Sequence, residues 1–193
     1  MIDKVFEMKG GFVTENYVFD LWNEAVRILP WLDAEELAGI LPLRGSVSDG
    51  GLLLSLRSKL VLRLPVELAV KADALAGQEL HVGNCVLHLG SAAERQLQPY
   101  TTLHSKLVQS EENEEVFLNA VAAQLQEMGM NCKWICGKRQ TITGAAQTLP
   151  GYSLVLHDLN QEDSLQIQRV GLGGSRKYGC GIFVPYKTIS DLN

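Results

Sequence analysis

Long apolar runs are absent from this sequence of 193 residues. No stretch approaches the roughly 20 apolar residues that a membrane-spanning helix requires. The N-terminal segment MIDKVFEMKGG carries charged residues early and lacks an apolar run, so it is unlike a secretory signal peptide. These absences predict a cytoplasmic protein that does not contact a membrane.

Cysteine is also scarce, with four residues in the whole chain. Cys132 and Cys136 are separated by three residues, and no second close pair or matching pair of histidines accompanies them. A structural zinc site usually needs such a second pair. The pattern therefore indicates reduced, mostly buried thiols, and we expect neither a metal nor another cofactor.

An overall basic charge is missing too, since the net charge is −5 and the pI is about 5.4. Nucleic-acid-binding proteins are usually basic, but screening limits the effect of distant acidic residues on a local basic surface. The basic residues fall into two groups along the chain. The candidates for contacts with phosphate are Arg44, Arg57, Lys59 and Arg63 in the first half, and Lys133, Lys138, Arg139, Arg176 and Lys177 in the second half.

Hydrophobic periodicity predicts the order β-α-β-β-α-β twice along the chain. Predicted strands cover 5–10, 39–43, 52–64, 80–89, 102–109, 133–143, 152–157 and 179–185, and predicted helices cover 16–29, 65–75, 112–128 and 161–170. This order predicts an α+β fold of two ferredoxin-like, or RRM-like, units in tandem. We place the first domain at 1–92 and the second, with a glycine-rich loop at 171–181, at 98–193.

The segment 57–64 alternates apolar and basic residues with the period of a β-strand. Arg57, Lys59 and Arg63 are expected to share one face, which would line a track of phosphates or would simply be solvated. On the same reasoning His81 and His88 lie in one strand and point to opposite faces.

The segment 171–185, GLGGSRKYGCGIFVP, is the most distinctive part of the sequence. Glycines expose main-chain N–H groups, and such groups beside two cations form a concave anion site. The order helix, loop, strand excludes a Walker loop and a dinucleotide-binding loop, whereas an ordinary surface turn remains an alternative. The candidate residues are Gly171, Gly173, Gly174, Ser175, Arg176 and Lys177.

Four segments together resemble the CRISPR-associated repeat endoribonucleases, and most closely their short MYXAN-type branch. These segments are ILPWL at 28–32, LRG at 43–45, RSKLVLRLP at 57–65 and the glycine-rich segment at 171–185. The resemblance implies a pair of ferredoxin-like units that cut RNA without a metal. The ribose 2′-hydroxyl would attack the adjacent phosphate, leaving 2′,3′-cyclic phosphate and 5′-hydroxyl ends.

Members of this family commonly carry a catalytic histidine in or just before the first helix, but this chain has no histidine before His81. Tyr17 stands near the expected position and is the first catalytic candidate. An alternative is that Tyr17 is an ordinary, partly buried helix residue. His104, beside Ser105 and Lys106 in a predicted strand, is the second catalytic candidate.

Three functions are therefore considered. The first is a nuclease that binds a CRISPR repeat hairpin, cuts it to mature guide RNA and has other effector subunits as further partners. The second is a non-catalytic subunit that binds guide RNA in such an effector complex, which the missing early histidine suggests. The third is a tandem ferredoxin-like protein with a protein or metabolite partner, which the negative charge suggests.

Overall fold

The computed structural model describes residues 1–186, which divide into two compact units. The first unit contains residues 1–97 together with 142–148 and 176–179, and the second contains the other described residues. The boundary that we placed between residues 92 and 98 stays a prediction about domain organisation. No helix within residues 1–186 is both long and apolar enough to cross a membrane.

The first unit contains one long helix, eight strands and several 3-10 turns. Its elements are β1 (Ile2–Lys9), β2 (Phe12–Thr14), α1 (Tyr17–Ile28), β3 (Gly39–Ile40), β4 (Gly45–Ser48), β5 (Gly51–Leu54), β6 (Lys59–Leu64), β7 (Glu79–Val82) and β8 (Cys85–Gln96), with 3-10 turns at Pro30–Ala34, Val66–Leu68 and Lys71–Leu75. The main sheet has the strand order β3-β6-β1-β8-β7, and β1 runs antiparallel to both of its neighbours. Leaving aside β7, that is the 2-3-1-4 arrangement of a ferredoxin-like unit.

The segment 52–64 was predicted as one strand, which is wrong. Its first part is β5, which pairs with β2 and β4 in a separate sheet of three strands, and its last part is β6 in the main sheet. A turn at 55–58 separates the two strands, and Ser58 Oγ accepts the main-chain N–H of Ser55 there. The side-chain hydrogen bond therefore breaks a run that alternation alone predicts to be continuous.

The predicted helix at 65–75 is also replaced, in this case by the two 3-10 turns at Val66–Leu68 and Lys71–Leu75. Their main-chain hydrogen bonds join residues three apart, for example from the N–H of Asp73 to the carbonyl of Val70. Val66 and Val70 are exposed, so they contribute little burial to offset the low helix propensity of branched side chains.

His81 and His88 lie in two strands and not in one. A turn at Gly83, with φ of 58°, joins β7 to β8. His88 is opposite Glu79, and His81 is opposite Val86. Opposite residues in an antiparallel pair share a face, so both histidines project from the same side of this hairpin. The expectation of opposite faces is therefore wrong.

The second unit repeats the arrangement with longer helices. Its elements are β9 (Thr102–Gln109), α2 (Glu114–Glu127), β10 (Lys133–Thr143), β11 (Thr148–His157), α3 (Gln161–Val170) and β12 (Val184–Pro185). The strand order is β10-β11-β9-β12, which again is the ferredoxin-like order. The fold class predicted from sequence is therefore confirmed.

The helices of the second unit begin at asparagine caps. The side chain of Asn113 accepts the N–H of Val116, and that of Asn160 accepts the N–H of Asp163. Just before α2, the side chain of Ser110 accepts the N–H of Glu112. Between the helices and the sheet lies an apolar core that includes Leu103, Phe117, Leu154, Ile167 and Phe183.

Candidate functional site

Arg44 and Arg57 project from neighbouring segments of the first unit, and both side chains are exposed. The hydroxyl of Ser58 donates to the carbonyl of Arg44 at 2.7 Å, which brings the two segments together. The main-chain N–H of Arg57 donates to Ser55 Oγ at 3.2 Å. We refer to residues 55–58 as the serine turn. It holds the main chain next to Arg57 close to that of Arg44, although Arg57 is outside the strand in which the sequence placed it.

Tyr17 lies in the first turn of α1 and is only 6% exposed. Its hydroxyl oxygen accepts the main-chain N–H of Leu43 at 2.9 Å. Burial raises the pKa of Tyr17 to about 12, although this hydrogen bond lowers it slightly. A phenol that stays protonated at neutral pH and faces the protein interior is a poor general base. The geometry instead gives Tyr17 a role in holding the chain just before Arg44.

Arg63 is not part of an exposed basic track, because its side chain is buried at 1% exposure. Its Nε donates to Asp3 Oδ1 at 2.7 Å, and its Nη2 donates to Asp3 Oδ2 at 3.2 Å. Lys59 does point outwards on the same strand, but its Nζ lies 3.4 Å from Glu7 Oε1. Lys59 and Arg63 do share one face of β6, opposite Glu7 and Asp3 of β1, but Arg57 lies outside this strand. The expected exposed track of three cations is therefore wrong, and Arg63 cannot contact RNA in this conformation.

The glycine-rich segment is largely packed inside the protein. Gly171, Gly179 and Gly181 are buried, whereas Gly173 and Gly174 are exposed and Ser175 is half-buried. A Cβ atom at Gly181 would overlap the carbonyl oxygen of Leu172. Several of these glycines are therefore required for close main-chain packing, and the exposed glycines of the segment are limited to Gly173 and Gly174.

The two cations of this segment have different environments, and both belong to the first unit. Arg176 is buried, and its Nε donates to the carbonyl of Leu37 at 2.7 Å. Burial, together with the nearby charge of Arg63, lowers the pKa of Arg176 to about 10. Lys177 is half-buried, lies 3.7 Å from Asp33 and sits over the ring of Tyr178. Arg176 therefore anchors the segment, and only Lys177 of the two faces solvent.

The basic residues of β10 lie on the edge strand of the second sheet, and all three are exposed. Lys133 pairs with Asp158 at 2.9 Å. The guanidinium of Arg139 donates to the carbonyls of Glu111 and Glu112, each at 3.2 Å, and lies over the ring of Tyr152. Lys138 is accordingly the cation of this strand that is most available to a phosphate, while Arg139 fastens the loop before α2.

His104 lies on β9, half-buried, with its ring 5.1 Å from that of Tyr186 in an edge-on contact. The register places Val155 opposite His104 and His157 opposite Thr102. His104 and His157 therefore occupy diagonal positions on one face of neighbouring strands, the face away from the apolar core. His157 Nδ1 also lies 3.3 Å from Asp158 Oδ1.

The proximity of His104 and His157 was not predicted from the sequence. The alternation of each strand shows that both residues lie on its less buried face, but it does not give the register between β9 and β11. Within residues 1–186, no group of three His, Cys, Asp or Glu side chains is arranged to hold a metal ion.

Comparison with known proteins gives a match to one family along almost the whole chain. The family model described as Cas6 CRISPR matches residues 2–188. A protein of Myxococcus xanthus (strain DK1622), named CRISPR-associated endonuclease Cas6, is 30% identical over 186 residues, which are 95% of this chain and 81% of that protein.

Solved structures share the fold at low sequence identity. A structure described as an RAMP protein binding different RNA substrates superposes with a TM-score of 0.72 at 12% identity, covering 97% of this chain and 100% of the other. A Cas6-related protein from Pyrococcus furiosus gives a TM-score of 0.68 at 12% identity, covering 96% and 98%. The tandem ferredoxin-like arrangement is thus shared with proteins of very different sequence.

Proposed function

The chain belongs to the Cas6 family of CRISPR proteins, and from this premise we propose that it is an endoribonuclease that binds CRISPR repeat hairpin RNA and cuts it to mature guide RNA. The observation that carries this proposal is the match across residues 2–188, together with the identity to the Myxococcus xanthus endonuclease over 95% of this chain. Since such RNA is transcribed inside the cell, the proposed location is cytoplasmic.

The proposed reaction is a transesterification that needs no metal. The ribose 2′-oxygen forms a bond to the adjacent phosphorus, and the bond from phosphorus to the 5′-oxygen of the next nucleotide breaks. A general base removes the 2′-hydroxyl proton, and a general acid protonates the departing 5′-oxygen. The products carry a 2′,3′-cyclic phosphate and a 5′-hydroxyl, and DNA is not a substrate because it lacks the nucleophile.

We assign the proton transfers to His104, with His157 as its partner. Histidine is the side chain whose ordinary pKa allows it to take up and release protons near neutral pH. Two imidazoles on one sheet face suit a reaction that needs both an acid and a base. Lys106 lies two residues from His104 along β9 and is exposed, so it is placed to offset developing negative charge.

Binding of the RNA backbone is assigned to the candidate cations that are exposed or half-buried and whose side chains do not donate to main-chain carbonyls, and to the main chain near Gly174. The cations are Arg44, Arg57, Lys59, Lys133, Lys138 and Lys177. Each contact with a phosphate releases counterions, so the affinity should fall steeply as salt concentration rises.

The alternative candidate function is a non-catalytic subunit that binds guide RNA within a CRISPR effector complex. It is favoured by the absence of any histidine before His81 and by the burial of Tyr17, which stands near the position of the expected histidine. Under this alternative the same cations bind RNA, but no strand is cut.

The test uses purified protein, end-labelled repeat hairpin RNA and an excess of EDTA. The proposal predicts a single cut that is lost when the scissile nucleotide carries a 2′-deoxyribose. His104→Ala and His157→Ala should each slow cutting by about 100-fold or more while leaving RNA affinity nearly unchanged. Tight binding without any cut would support the non-catalytic subunit, and a cut that requires Mg²⁺ would contradict the metal-independent reaction.

A further inference from the structure

We propose that Arg44 and Arg57 form one paired phosphate-binding site. Hydrogen bonds between the main chain and the side chains of Tyr17, Ser55 and Ser58 fix the positions of the two arginines before RNA binds. This inference rests on the proposed function, because it takes the phosphates of repeat RNA as the ligand. It assigns Tyr17 a positioning role in place of a catalytic one.

The chain at Arg44 is fastened on both sides. On one side, the N–H of Leu43 donates to the buried hydroxyl oxygen of Tyr17 at 2.9 Å. On the other side, the carbonyl of Arg44 accepts the hydroxyl of Ser58 at 2.7 Å. Ser58 is itself only 2% exposed, so this hydrogen bond is shielded from competing water. The main chain that carries Arg44 therefore has little freedom to move.

Arg57 is held by the same group of side chains. The N–H of Arg57 donates to Ser55 Oγ at 3.2 Å, and the N–H of Ser55 donates to Ser58 Oγ at 3.0 Å. The hydroxyl of Ser58 thus accepts from one segment and donates to the other. Through this shared hydroxyl, the positions of the main chain at Arg44 and Arg57 are set together.

The charges of these two arginines are not neutralised by neighbours. Neither guanidinium has a carboxylate within ion-pair distance among residues 1–186, whereas Arg27, Lys59 and Arg63 in the same unit each pair with one. An exposed guanidinium on a fixed main chain loses less entropy on binding a phosphate than one on a mobile loop. The planar guanidinium can also donate hydrogen bonds to two phosphate oxygens at once.

An acidic protein surface would be attracted by the same charges, and it is the competing ligand. We choose RNA because the family match covers the segment that holds both arginines. Measuring RNA affinity directly distinguishes RNA from an acidic protein as the ligand of these arginines.

The experiment measures equilibrium binding of labelled repeat hairpin RNA in EDTA, with the 2′-deoxy substitution to prevent cutting. Arg44→Gln and Arg57→Gln should each weaken binding about tenfold, and each should reduce the slope of log affinity against log salt by about 0.7 to 0.9. Arg169→Gln, an exposed arginine in the last turn of α3, serves as the matched control and should leave both quantities unchanged.

Tyr17→Phe tests the positioning role through a double-mutant cycle. The variant should weaken RNA binding several-fold in the wild-type background and have no further effect when Arg44 is already glutamine. Ser58→Ala should behave in the same way, and it replaces Tyr17→Phe if that variant fails to fold. An equal loss in both backgrounds would show that Tyr17 and Ser58 do not act through Arg44.

The outcomes separate this inference from the proposed function. If wild-type protein neither binds nor cuts repeat RNA, the proposed function fails. If wild-type protein binds and cuts, but Arg44→Gln and Arg57→Gln bind as tightly as it does, the paired site is overturned and the nuclease stands. An unchanged salt slope in both variants would also contradict direct contacts with phosphate.

Discussion

The glycine-rich segment at 171–181 and the serine turn at 55–58 both carry candidate phosphate contacts in the sequence, but the structure buries the arginine of the first and exposes that of the second. The glycine-rich segment resembles a phosphate loop, yet Gly171, Gly181 and Arg176 are buried. The serine turn was predicted as part of a continuous strand, and it leaves Arg57 exposed, as the alternation of residues also predicts. Dense glycine can therefore reflect close packing of main chains, and two small polar side chains can interrupt a predicted strand while its arginine stays exposed.

The largest expected effect tests whether the glycine-rich segment is tightly packed. Gly181 has a φ of 64°, and a Cβ there would overlap the carbonyl oxygen of Leu172. Gly181→Ala should therefore lower the free energy of unfolding by about 3 kcal/mol or more. Urea unfolding followed by circular dichroism measures this change.

Gly174→Ala is the matched control from the same segment. A Cβ there would meet only the end of the Gln109 side chain, at 3.3 Å, which can move aside. The free energy of unfolding should change by less than about 0.5 kcal/mol. An equal decrease in the free energy of unfolding for Gly181→Ala and Gly174→Ala would show that Gly181 is packed no more tightly than Gly174.

The next largest effect distinguishes the buried Arg63 from the exposed Arg57, which lies six residues earlier in the chain. Arg63→Gln leaves Asp3 with Arg95 as its remaining partner, at 2.9 Å. We expect a loss of about 3 kcal/mol, because the buried carboxylate of Asp3 loses its buried counterion. Arg57→Gln, at the exposed position, should cost less than about 0.5 kcal/mol. A smaller loss for Arg63→Gln than for Arg57→Gln would reverse the assignment of buried and exposed cations.

Tyr17 provides a test based on pH. Because burial raises its pKa to about 12 in the folded protein, against about 10 in an unfolded chain, the folded state holds its proton more tightly. This contribution to stability is fully present below pH 10 and is lost as pH rises towards 12, amounting to about 2 to 3 kcal/mol.

Tyr17→Phe removes the ionisable group, so unfolding free energy should decline less between pH 10 and 12 than in wild-type protein. Parallel declines in the two proteins would mean that the hydroxyl is accessible to solvent. The profile of cutting rate against pH near neutrality should keep its shape in this variant, since we assign the proton transfers to His104 and His157.

The smallest effect concerns the edge strand β10. Arg139→Ala removes donors to the carbonyls of Glu111 and Glu112, and we expect a loss of about 1 kcal/mol because the site is exposed. Lys138→Ala should leave stability unchanged but weaken RNA binding about tenfold. Thermal unfolding and RNA titration of both variants would show whether Arg139 contributes to stability and Lys138 to RNA binding. A loss of RNA binding in Arg139→Ala but not in Lys138→Ala would assign the RNA contact to Arg139.

The fold could be predicted from the sequence because each element carries its own periodicity. Alternation marks β6 and β9, and helical spacing marks α1 and α2, so the repeated order of elements and the ferredoxin-like class follow. The exceptions are local. Val66–Leu68 and Lys71–Leu75 form 3-10 turns where exposed valines do not stabilise a helix, and turns divide the strands predicted at 52–64 and 80–89.

The candidate site could be predicted only in part. Residue type indicates a cation or a proton carrier, but its environment depends on partners that are distant in sequence. Arg63 is buried because Asp3 lies on the adjacent strand β1, and His157 joins His104 because of the register between β9 and β11. Neither pairing is encoded in a local pattern, since register depends on the packing of the whole sheet.

Amide hydrogen exchange with and without repeat hairpin RNA would distinguish the serine turn from the glycine-rich segment in a single experiment. The RNA carries the 2′-deoxy substitution so that it remains intact. We predict slower exchange across residues 43–58 when RNA is bound, and unchanged exchange at the buried residues 179–183. Slower exchange confined to 171–181, with none across 43–58, would refute this assignment and return the phosphate site to the glycine-rich segment.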